Sequence, residues 1–301
     1  MSSSDLDIIE FYSEKIEKLY KNKYFRESLK IKNKQLFLSP YLKDTRISFK
    51  KAFSAELEQA EITISMLEKL EIDKNKSILE IGGGIGIVYG FLRKMGYNIY
   101  SIEPSESGFM NQYNSGIILL NILKIDTLNW YPLKLEEADK LSMQFDIIVS
   151  NNVLEHVHDL ESSFLILKKL LKKDGAMIHN TVNYHVPYEP HFRIPLFPFF
   201  PKLTVFFKPK LKNNGIWKDL HFITSTEIKN ICKNNNLAIS FYNDRLLNTL
   251  KKLEDNSEFS KRHKHFLRIY KFLKHTHTLM FLEKLPISFK TPMQFKIKKV
   301  N

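Results

Sequence analysis

The chain has 301 residues, of which 43% are hydrophobic and 26% are charged, values typical of a globular protein that exclude a disordered or fibrous chain. No apolar run approaches the roughly 20 residues that a membrane span requires, and the polar N-terminus carries no signal-peptide pattern. The single cysteine, Cys232, excludes an intramolecular disulfide and a cysteine-based zinc cage. We therefore expect a soluble, cytoplasmic protein.

The positive charge is concentrated in the last third of the chain. Residues 190–301 hold 22 of the 46 basic residues but only 7 of the 33 acidic residues. The same segment holds 17 of the 38 aromatic residues. A solvated surface explains this excess as well as an anionic partner does, so both interpretations stay open.

Two helical segments are predicted before the middle of the chain. Apolar residues recur at helical spacing within residues 5–35, and Ser54–Leu70 has one apolar face that includes Leu57 and Ile64. Neither segment carries residues with an evident chemical role. Residues 1–75 are therefore predicted to form an N-terminal helical extension that packs on the rest of the chain.

From Lys76 onward, short apolar runs alternate with amphipathic helices, whereas Gly116–Leu128 has no firm assignment. This alternation predicts a doubly wound α/β domain over residues 76–301, in which helices cover both faces of a mostly parallel sheet. The predicted strands are Ser77–Ile81, Asn98–Ile102, Leu133–Leu135, Phe145–Ser150, Ala176–Val182, Leu237–Tyr242 and Met293–Val300. The predicted helices are Ile87–Lys94, Glu106–Tyr113, Asp159–Lys172 and Thr224–Asn235.

Residues 183–223 interrupt this alternation with six prolines among aromatic residues. An insertion of this length in a compact sheet domain is more often functional than not, and we predict that it lies on the substrate side. Residues 245–290 form a second, basic and aromatic elaboration. Within it, residues 261–274 are predicted to be a helix that could contact RNA, lie on an anionic bilayer, or pack with its cations outward.

A glycine-rich loop, Glu80–Gly86, closes the first predicted strand and opens a helix. Glycine lets the backbone turn sharply and approach a ligand, and the following helix offers free N–H groups. A dinucleotide fingerprint would need glycine where Ile87 stands, and a P-loop would need a lysine after Gly86. What remains is an acidic residue followed by Gly-x-Gly-x-Gly.

This loop resembles the first motif of the class I S-adenosylmethionine-dependent methyltransferases. The resemblance covers residues 77–182 and includes four further landmarks in the family order: Glu103 after strand two, residues 137–143 after strand three, Phe145–Val157 at strand four, and the turn Leu170–Gly175 before strand five. It is closest to the branch of ubiquinone-pathway and other small-molecule O- and N-methyltransferases. It implies a Rossmann-like methyltransferase fold with a seven-stranded sheet, and S-adenosyl-L-methionine as the cofactor.

The resemblance also implies where the cofactor binds. Glu103 would accept hydrogen bonds from both ribose hydroxyls, a role that suits a carboxylate because it has two acceptor oxygens. The segment after strand three would border the adenine. The cofactor-binding residues expected on this basis are Glu80, Gly82, Gly84, Gly86, Glu103, Pro104, Ser105, Glu137, Ala138 and Asn151.

Some relatives carry Glu-x-x-Glu-His at the fourth motif and bind a divalent metal there. Here Asn152 stands in place of the first glutamate, ahead of Glu155 and His156. Asparagine is a weak neutral ligand, so the carboxylate cluster is incomplete and we predict no metal. Glu155 and His156 are instead expected to hydrogen-bond the cofactor-side loop or to orient the substrate.

The loop after strand five concentrates titratable side chains at the edge of the sheet where ligands bind. His185, Tyr188, Glu189 and His191 could move a proton or hydrogen-bond an acceptor, whereas a proline-stiffened loop with solvated histidines is the alternative. The candidate catalytic residues are therefore His185, Tyr188, His156 and Glu155.

The predicted function is methyl transfer from the cofactor to a hydroxyl or amine of a small molecule or glycan precursor. An amine needs only to be neutral, whereas a hydroxyl needs a base such as histidine or glutamate. Two alternatives stay open: an RNA methyltransferase that uses the basic last third, and a cofactor-binding scaffold without catalysis. Nucleic acid is not the favoured partner, peripheral contact with an anionic surface is left open, and the sequence does not indicate an oligomeric state.

Overall fold

The computed structural model describes residues 7–35, 46–105, 110–255, 260 and 264–300. A seven-stranded sheet runs through this part of the chain, in the spatial order β3-β2-β1-β4-β5-β7-β6. Strand β7 is antiparallel to both of its neighbours, and the other paired strands are parallel, which confirms the predicted doubly wound fold. The strands are β1 (Ser77–Ile81), β2 (Asn98–Ile102), β3 (Trp130–Tyr131), β4 (Phe145–Asn151), β5 (Leu171–Thr181), β6 (Leu237–Tyr242) and β7 (Met293–Lys299).

Helices cover both faces of the sheet. Adjacent residues of β1 show this directly. Ile78 packs with the N-terminal helices and with α5 (Ile87–Lys94), whereas Leu79 packs with α7 (Leu160–Leu170) and α8 (Ser225–Asn234). All five residues of β1 are buried, as expected for a central parallel strand. The longer helices are α1 (Ile8–Ser13), α2 (Ile16–Lys21), α3 (Lys23–Gln35), α4 (Arg46–Glu68), α5 (Ile87–Lys94), α6 (Met110–Leu123), α7 (Leu160–Leu170), α8 (Ser225–Asn234), α9 (Arg245–Asp255) and α10 (Lys264–His275).

The N-terminal helices share a core with the sheet. Tyr12 is fully buried, and its hydroxyl donates to the carbonyl oxygen of Ile87 at 2.8 Å. The segment predicted as one helix is divided into α1, α2 and α3, and α4 begins earlier than predicted because Phe49 and Phe53 extend its buried face. The division of the chain at residue 75 stays a prediction.

The third predicted strand, Leu133–Leu135, was wrong. The strand is instead Trp130–Tyr131, which pairs with Ser101 and Ile102, and residues 135–141 form a 3-10 helix. Helix α6 covers much of the unassigned segment, whereas residues 106–109 of the predicted helix there lie outside the described residues.

Strand β5 begins five residues before the predicted Ala176. Leu171 pairs with Phe145 and Ala176 pairs with Ile147, so the residues between them bulge out of the ladder. Most of the segment predicted as a turn, Leu170–Gly175, therefore lies within β5 as an irregular stretch of strand.

The insertion at residues 183–223 contains a two-stranded pair, Tyr188–Glu189 with Ile194–Pro195, followed by short helical turns. Asn183 anchors its start, because its Nδ2 donates to the carbonyl oxygens of Ile287 and Lys290 at 2.8 and 2.9 Å. Within the described ranges, no helix is both long and apolar enough to traverse a lipid bilayer.

Candidate active site

A cavity of about 840 Å³ lies at the carboxyl ends of β1, β2, β4 and β5. The glycine loop, the ends of these strands and the loop after β5 form its walls, and α4 and α9 close it from the other side. This is the edge of an open parallel sheet at which ligands bind. The volume lies in the upper part of the roughly 300–1,000 Å³ range of small-molecule sites.

The glycine loop has a conformation that side chains would obstruct. Gly82 and Gly84 have φ values of 73° and 58°, in the left-handed region. A Cβ at Gly82 would lie 2.3 Å from a methyl carbon of Val153, whereas a Cβ at Gly84 would meet no atom nearer than 3.7 Å. The backbone at Gly84 therefore borders open space in the cavity, which a ligand could occupy in contact with the loop.

Glu103 is positioned by this loop. Its carboxylate is buried at the end of β2, and Oε2 accepts a hydrogen bond from the backbone N–H of Gly84 at 2.9 Å. Glu103 and the following Pro104 both line the cavity. The carboxylate thus has a fixed place beside the glycine backbone.

Glu80 is a second buried carboxyl group in the same wall. Its Oε2 accepts from the hydroxyl of Ser101 at 2.9 Å. Burial raises the pKa of Glu80 to about 7, and the hydrogen bond from Ser101 opposes that shift only in part. Glu80 is therefore close to half-protonated near neutral pH.

Four of the predicted cofactor residues are not among the described residues that line the cavity: Gly86, Ser105, Glu137 and Ala138. The Glu137 side chain instead accepts from the backbone N–H of Lys134 and from Nζ of Lys140, at 3.2 and 2.5 Å. Ala138 lies within the 3-10 helix and is buried. The neighbouring Glu136 lines the cavity, a one-residue offset that the sequence pattern could not resolve.

Helix α4 covers the end of β4 through one glutamine. Asn151 Nδ2 donates to the carbonyl oxygen of Gln59 at 3.0 Å, and Asn152 Nδ2 donates to Gln59 Oε1 at 2.9 Å. Asn152 has a φ of 55°, which turns the chain under the helix. The N-terminal extension is therefore part of the site, a role that its sequence did not suggest.

Arg245 provides a cation in the cavity wall. Its Nε donates to Oδ1 of Asn180 at 2.9 Å, and Nδ2 of Asn180 donates to Oδ1 of Asn151 at 2.8 Å. Burial lowers the pKa of Arg245 to about 10, so the guanidinium remains charged at neutral pH. Sequence reasoning missed Arg245 because it stands at the start of an ordinary amphipathic helix.

His191 belongs to a buried hydrogen-bonded chain. Its Nδ1 lies 2.6 Å from Oε1 of Glu189, and the hydroxyl of Tyr184 donates to Oε2 of the same carboxylate. Burial alone would lower the pKa of His191, but the hydrogen bond to Glu189 and the charges of Glu189 and Glu155 raise it above its ordinary value. Among these three residues, His191 lines the cavity.

Glu155 and His156 lie against His191. Glu155 is fully buried, and its Oε2 accepts from the hydroxyl of Thr181 at 2.7 Å. Burial raises the pKa of Glu155, although the charge of His191 opposes the shift. Burial lowers the pKa of His156 to about 3, helped by His191, so His156 is neutral at physiological pH.

These three residues could also present ligands to a metal ion. One ligating atom from each of Glu155, His156 and His191 lies within 4.8 Å of the other two. The sequence pattern around Asn152 did not show this, because His191 comes from the loop after β5. The absence of a metal stays a prediction.

The other two candidate catalytic residues lie in different places. Tyr188 lines the cavity and its ring packs on Phe266 with centroids 5.7 Å apart. Burial raises the pKa of Tyr188, so its hydroxyl stays protonated. His185 is exposed, and its Nδ1 lies 3.1 Å from Oγ of Ser225 at the start of α8. The structure therefore brings Tyr188, His156 and His191 to one cavity but does not bring His185 there.

Comparison with known proteins agrees with this arrangement. A family model described as a methyltransferase domain matches residues 55–240, which is more than half of the chain. The chain therefore belongs to the class I S-adenosylmethionine-dependent methyltransferases.

Its curated relatives include an uncharacterized protein of Mycobacterium tuberculosis, 29% identical over 62% of this chain and 66% of that protein. They also include a ubiquinone biosynthesis O-methyltransferase of Pelagibacter ubique, 31% identical over 36% of this chain and 43% of that enzyme. The chain thus spans less than two thirds of the length of each of these relatives.

Solved structures that are similar to this chain include two methyltransferases. A phosphoethanolamine N-methyltransferase of Haemonchus contortus in complex with S-adenosyl-L-methionine is 14% identical, with a TM-score of 0.46 over 80% of this chain and 53% of that one. An O-methyltransferase from a polyketide synthase multienzyme of Brevibacillus brevis is 14% identical, with a TM-score of 0.45 over 81% of this chain and 72% of that one.

Proposed function

We propose that this protein transfers a methyl group from S-adenosylmethionine to a hydroxyl or amine of a small molecule. The observation that carries the proposal is one cavity that is lined by the glycine loop and Glu103 and also by His191. Its volume of about 840 Å³ leaves space for a cofactor and a small acceptor together. The ubiquinone-pathway O-methyltransferases among the relatives support a small acceptor.

The residues at the ends of β1 and β2 fit the cofactor. Gly84 leaves open backbone beside the cavity, and Glu103 is a buried acceptor held against that backbone. Glu80 and Pro104 complete this wall. When bound, the cofactor supplies an electrophilic methyl group on a sulfonium, so the protein needs mainly to align an acceptor and exclude water.

His191 is the residue that best fits the role of general base. A hydroxyl acceptor must lose a proton, and Nε2 of His191 can take it because Nδ1 is engaged by Glu189. The buried carboxylate of Glu189 then stabilises the imidazolium, and Tyr184 keeps that carboxylate in place. An amine acceptor that binds in its neutral form would transfer a proton to the same nitrogen after methylation.

Tyr188, His156 and Arg245 are proposed to orient the acceptor. Tyr188 can donate a hydrogen bond, and the neutral His156 can accept one, although its pKa of about 3 makes it a poor base. Arg245 offers a fixed cation for an anionic group. Glu155, which has no exposed surface, is proposed to act through His156 and His191 rather than by touching the acceptor.

Labelled cofactor tests this proposal. The full chain would be incubated with a cell extract and cofactor carrying tritium in its methyl group, and the extract then separated into small molecules, glycan precursors and RNA. We expect the label in the small-molecule fraction, and much less transfer with Glu103→Ala as the matched control. Label in glycan precursors would change the acceptor class, and label in RNA would contradict the proposal. Cofactor binding without any transfer would favour a scaffold.

A further inference from the structure

Four phenylalanines project from the insertion after β5. Phe199, Phe200, Phe206 and Phe207 are 95%, 62%, 76% and 72% exposed, within nine residues of sequence. Exposed large apolar side chains are ordinary when they are scattered singly, but a contiguous group of them marks an interaction site. Phe207 stacks on Phe197 with ring centroids 6.3 Å apart, yet each of the four side chains stays more than half exposed in the described part of the chain.

The backbone that carries them is anchored to the fold. The backbone N–H of Phe197 donates to Oγ1 of the buried Thr204 at 2.9 Å, and Lys208 N–H donates to the carbonyl oxygen of Thr204 at 3.0 Å. Further along, Leu211 is buried in the same core cluster as Trp217. The phenylalanines are thus presented outward by a segment whose two ends are fixed.

Lysines surround the phenylalanines, and acidic residues are absent from this part of the sequence. Residues 190–218 contain six basic residues and no acidic residue. Lys202, Lys208, Lys210 and Lys212 are all exposed. The four phenylalanines and these four lysines together form what we call the aromatic–lysine surface.

This combination fits an anionic lipid bilayer. Aromatic side chains insert at the boundary between headgroups and acyl chains, and neighbouring lysines are attracted by anionic headgroups while their stems lie along the apolar layer. A symmetric contact with a second copy would use the same surface twice and would bring lysines against lysines with no acid between them. The charge of the surface therefore favours the bilayer.

We propose that the aromatic–lysine surface docks this protein on anionic membranes. The same insertion forms one wall of the cavity, because Tyr188 and His191 line the cavity. The wall is joined to the start of the aromatic segment, since the backbone N–H of Leu196 donates to the carbonyl oxygen of Pro187 at 2.9 Å. Docking would therefore bring the membrane surface close in sequence to that wall, because only seven residues separate His191 from Phe199. The proposal does not depend on the acceptor or on the methyl transfer itself.

Vesicle co-sedimentation of the full chain tests the docking. The probes are phosphatidylcholine vesicles with and without about 30 mol% phosphatidylglycerol. We expect binding to the anionic vesicles alone, and a loss of about tenfold or more in partitioning with the double variant Phe199→Ser/Phe206→Ser. The variant Lys202→Glu/Lys210→Glu should lose binding similarly. Leu128→Ser is the matched control, because Leu128 is 78% exposed and lies outside the surface.

Four results would overturn the proposal. Equal binding to both kinds of vesicle would remove the role of the anionic headgroups, and unchanged partitioning of both double variants at an unchanged melting temperature would remove this surface from the lipid contact. A wild-type chain that sediments as a dimer, and as a monomer after Phe199→Ser/Phe206→Ser, would assign the surface to self-association. Retention on RNA that is lost with Lys202→Glu/Lys210→Glu, without vesicle binding, would assign it to nucleic acid.

Discussion

Nδ1 of His191 lies 2.6 Å from Oε1 of Glu189, a carboxylate that has no exposed surface. The backbone N–H of His191 donates to the same oxygen, and the hydroxyl of Tyr184 donates to the other one. The carboxylate therefore fixes both the position of the imidazole and the nitrogen that remains available for proton exchange. An imidazole held in this way can act as a base without reorganising first.

The pH dependence of turnover tests this relationship. Only neutral His191 can accept a proton, so kcat/KM should rise as pH increases through its pKa, which the charge of Glu189 raises above the ordinary 6.5. Glu189→Gln removes that charge, so the acidic limb should move to lower pH while kcat falls about tenfold or more. Initial rates across the pH range measure both effects.

His185→Ala is the matched control for that experiment. His185 lies in the same loop but contacts Ser225 outside the cavity lining, so its removal should leave the acidic limb in place. The assignment of the base to His191 would be contradicted if the acidic limb of the pH profile were unchanged in Glu189→Gln, or if it disappeared in His185→Ala.

Glu103→Ala should weaken cofactor binding far more than it disturbs folding. Each lost hydrogen bond to a charged acceptor costs on the order of 1.5–3 kcal/mol, so the Kd should rise at least tenfold. Calorimetric titration with S-adenosylmethionine measures this change. Glu137→Ala serves as the control, because the Glu137 side chain bonds its own helix and should leave the Kd unchanged. An unaltered affinity in Glu103→Ala would remove Glu103 from the site.

Activity should survive exhaustive chelation. Asn152 leaves the carboxylate cluster of the metal-binding relatives incomplete, and one oxygen of Glu155 (Oε2) and one nitrogen of His191 (Nδ1) are already held by Thr181 and Glu189. Turnover before and after treatment with a chelator measures the effect. If activity is lost and a divalent ion restores it, Glu155, His156 and His191 form a metal centre.

Glu80 should make the stability of the fold depend on pH. Its pKa is raised from 4.5 to about 7 in the folded protein, so the stabilisation present below pH 4.5 is lost as pH rises through about 7. The full loss corresponds to roughly 3 kcal/mol. Glu80→Gln should therefore gain stability relative to the wild type between pH 5 and pH 8.

Denaturant unfolding at the two pH values measures that difference. The exposed Glu161→Gln is the control and should follow the wild type at both. If Glu80→Gln keeps the same stability difference from the wild type at both pH values, the buried carboxyl group does not titrate in this range.

The first and last residues of a strand or helix could be predicted where glycines flank it. The glycines at 82–86 and 96 delimit β1, α5 and β2, because glycine ends a strand or a helix by backbone geometry alone. β3 was misplaced because its two residues are too few to produce an alternating pattern, and its register is set by pairing with β2. Glu103 and the glycine loop could be predicted for the same reason, since they directly follow the ends of β2 and β1.

The acceptor side could be predicted only in part. The loop after β5 was recognised, yet which of its histidines lines the cavity depends on tertiary packing against Glu189 and α8. Gln59 and Arg245 come from helices far away in sequence, and no local pattern distinguishes them from other surface residues. Their contribution arises when α4 and α9 close the cavity.

The position of β7 in the sheet has a consequence for how this chain is made. Within the described residues, β6 pairs with β7 alone, and β7 pairs with β5, for example through Met177 and Ile297. While residues 293–299 are still inside the ribosome, β5 has one unpaired edge and β6 lacks this partner strand. The nascent chain must keep an incomplete sheet from aggregating until residues 293–299 have emerged, and chaperone protection matters most during that period.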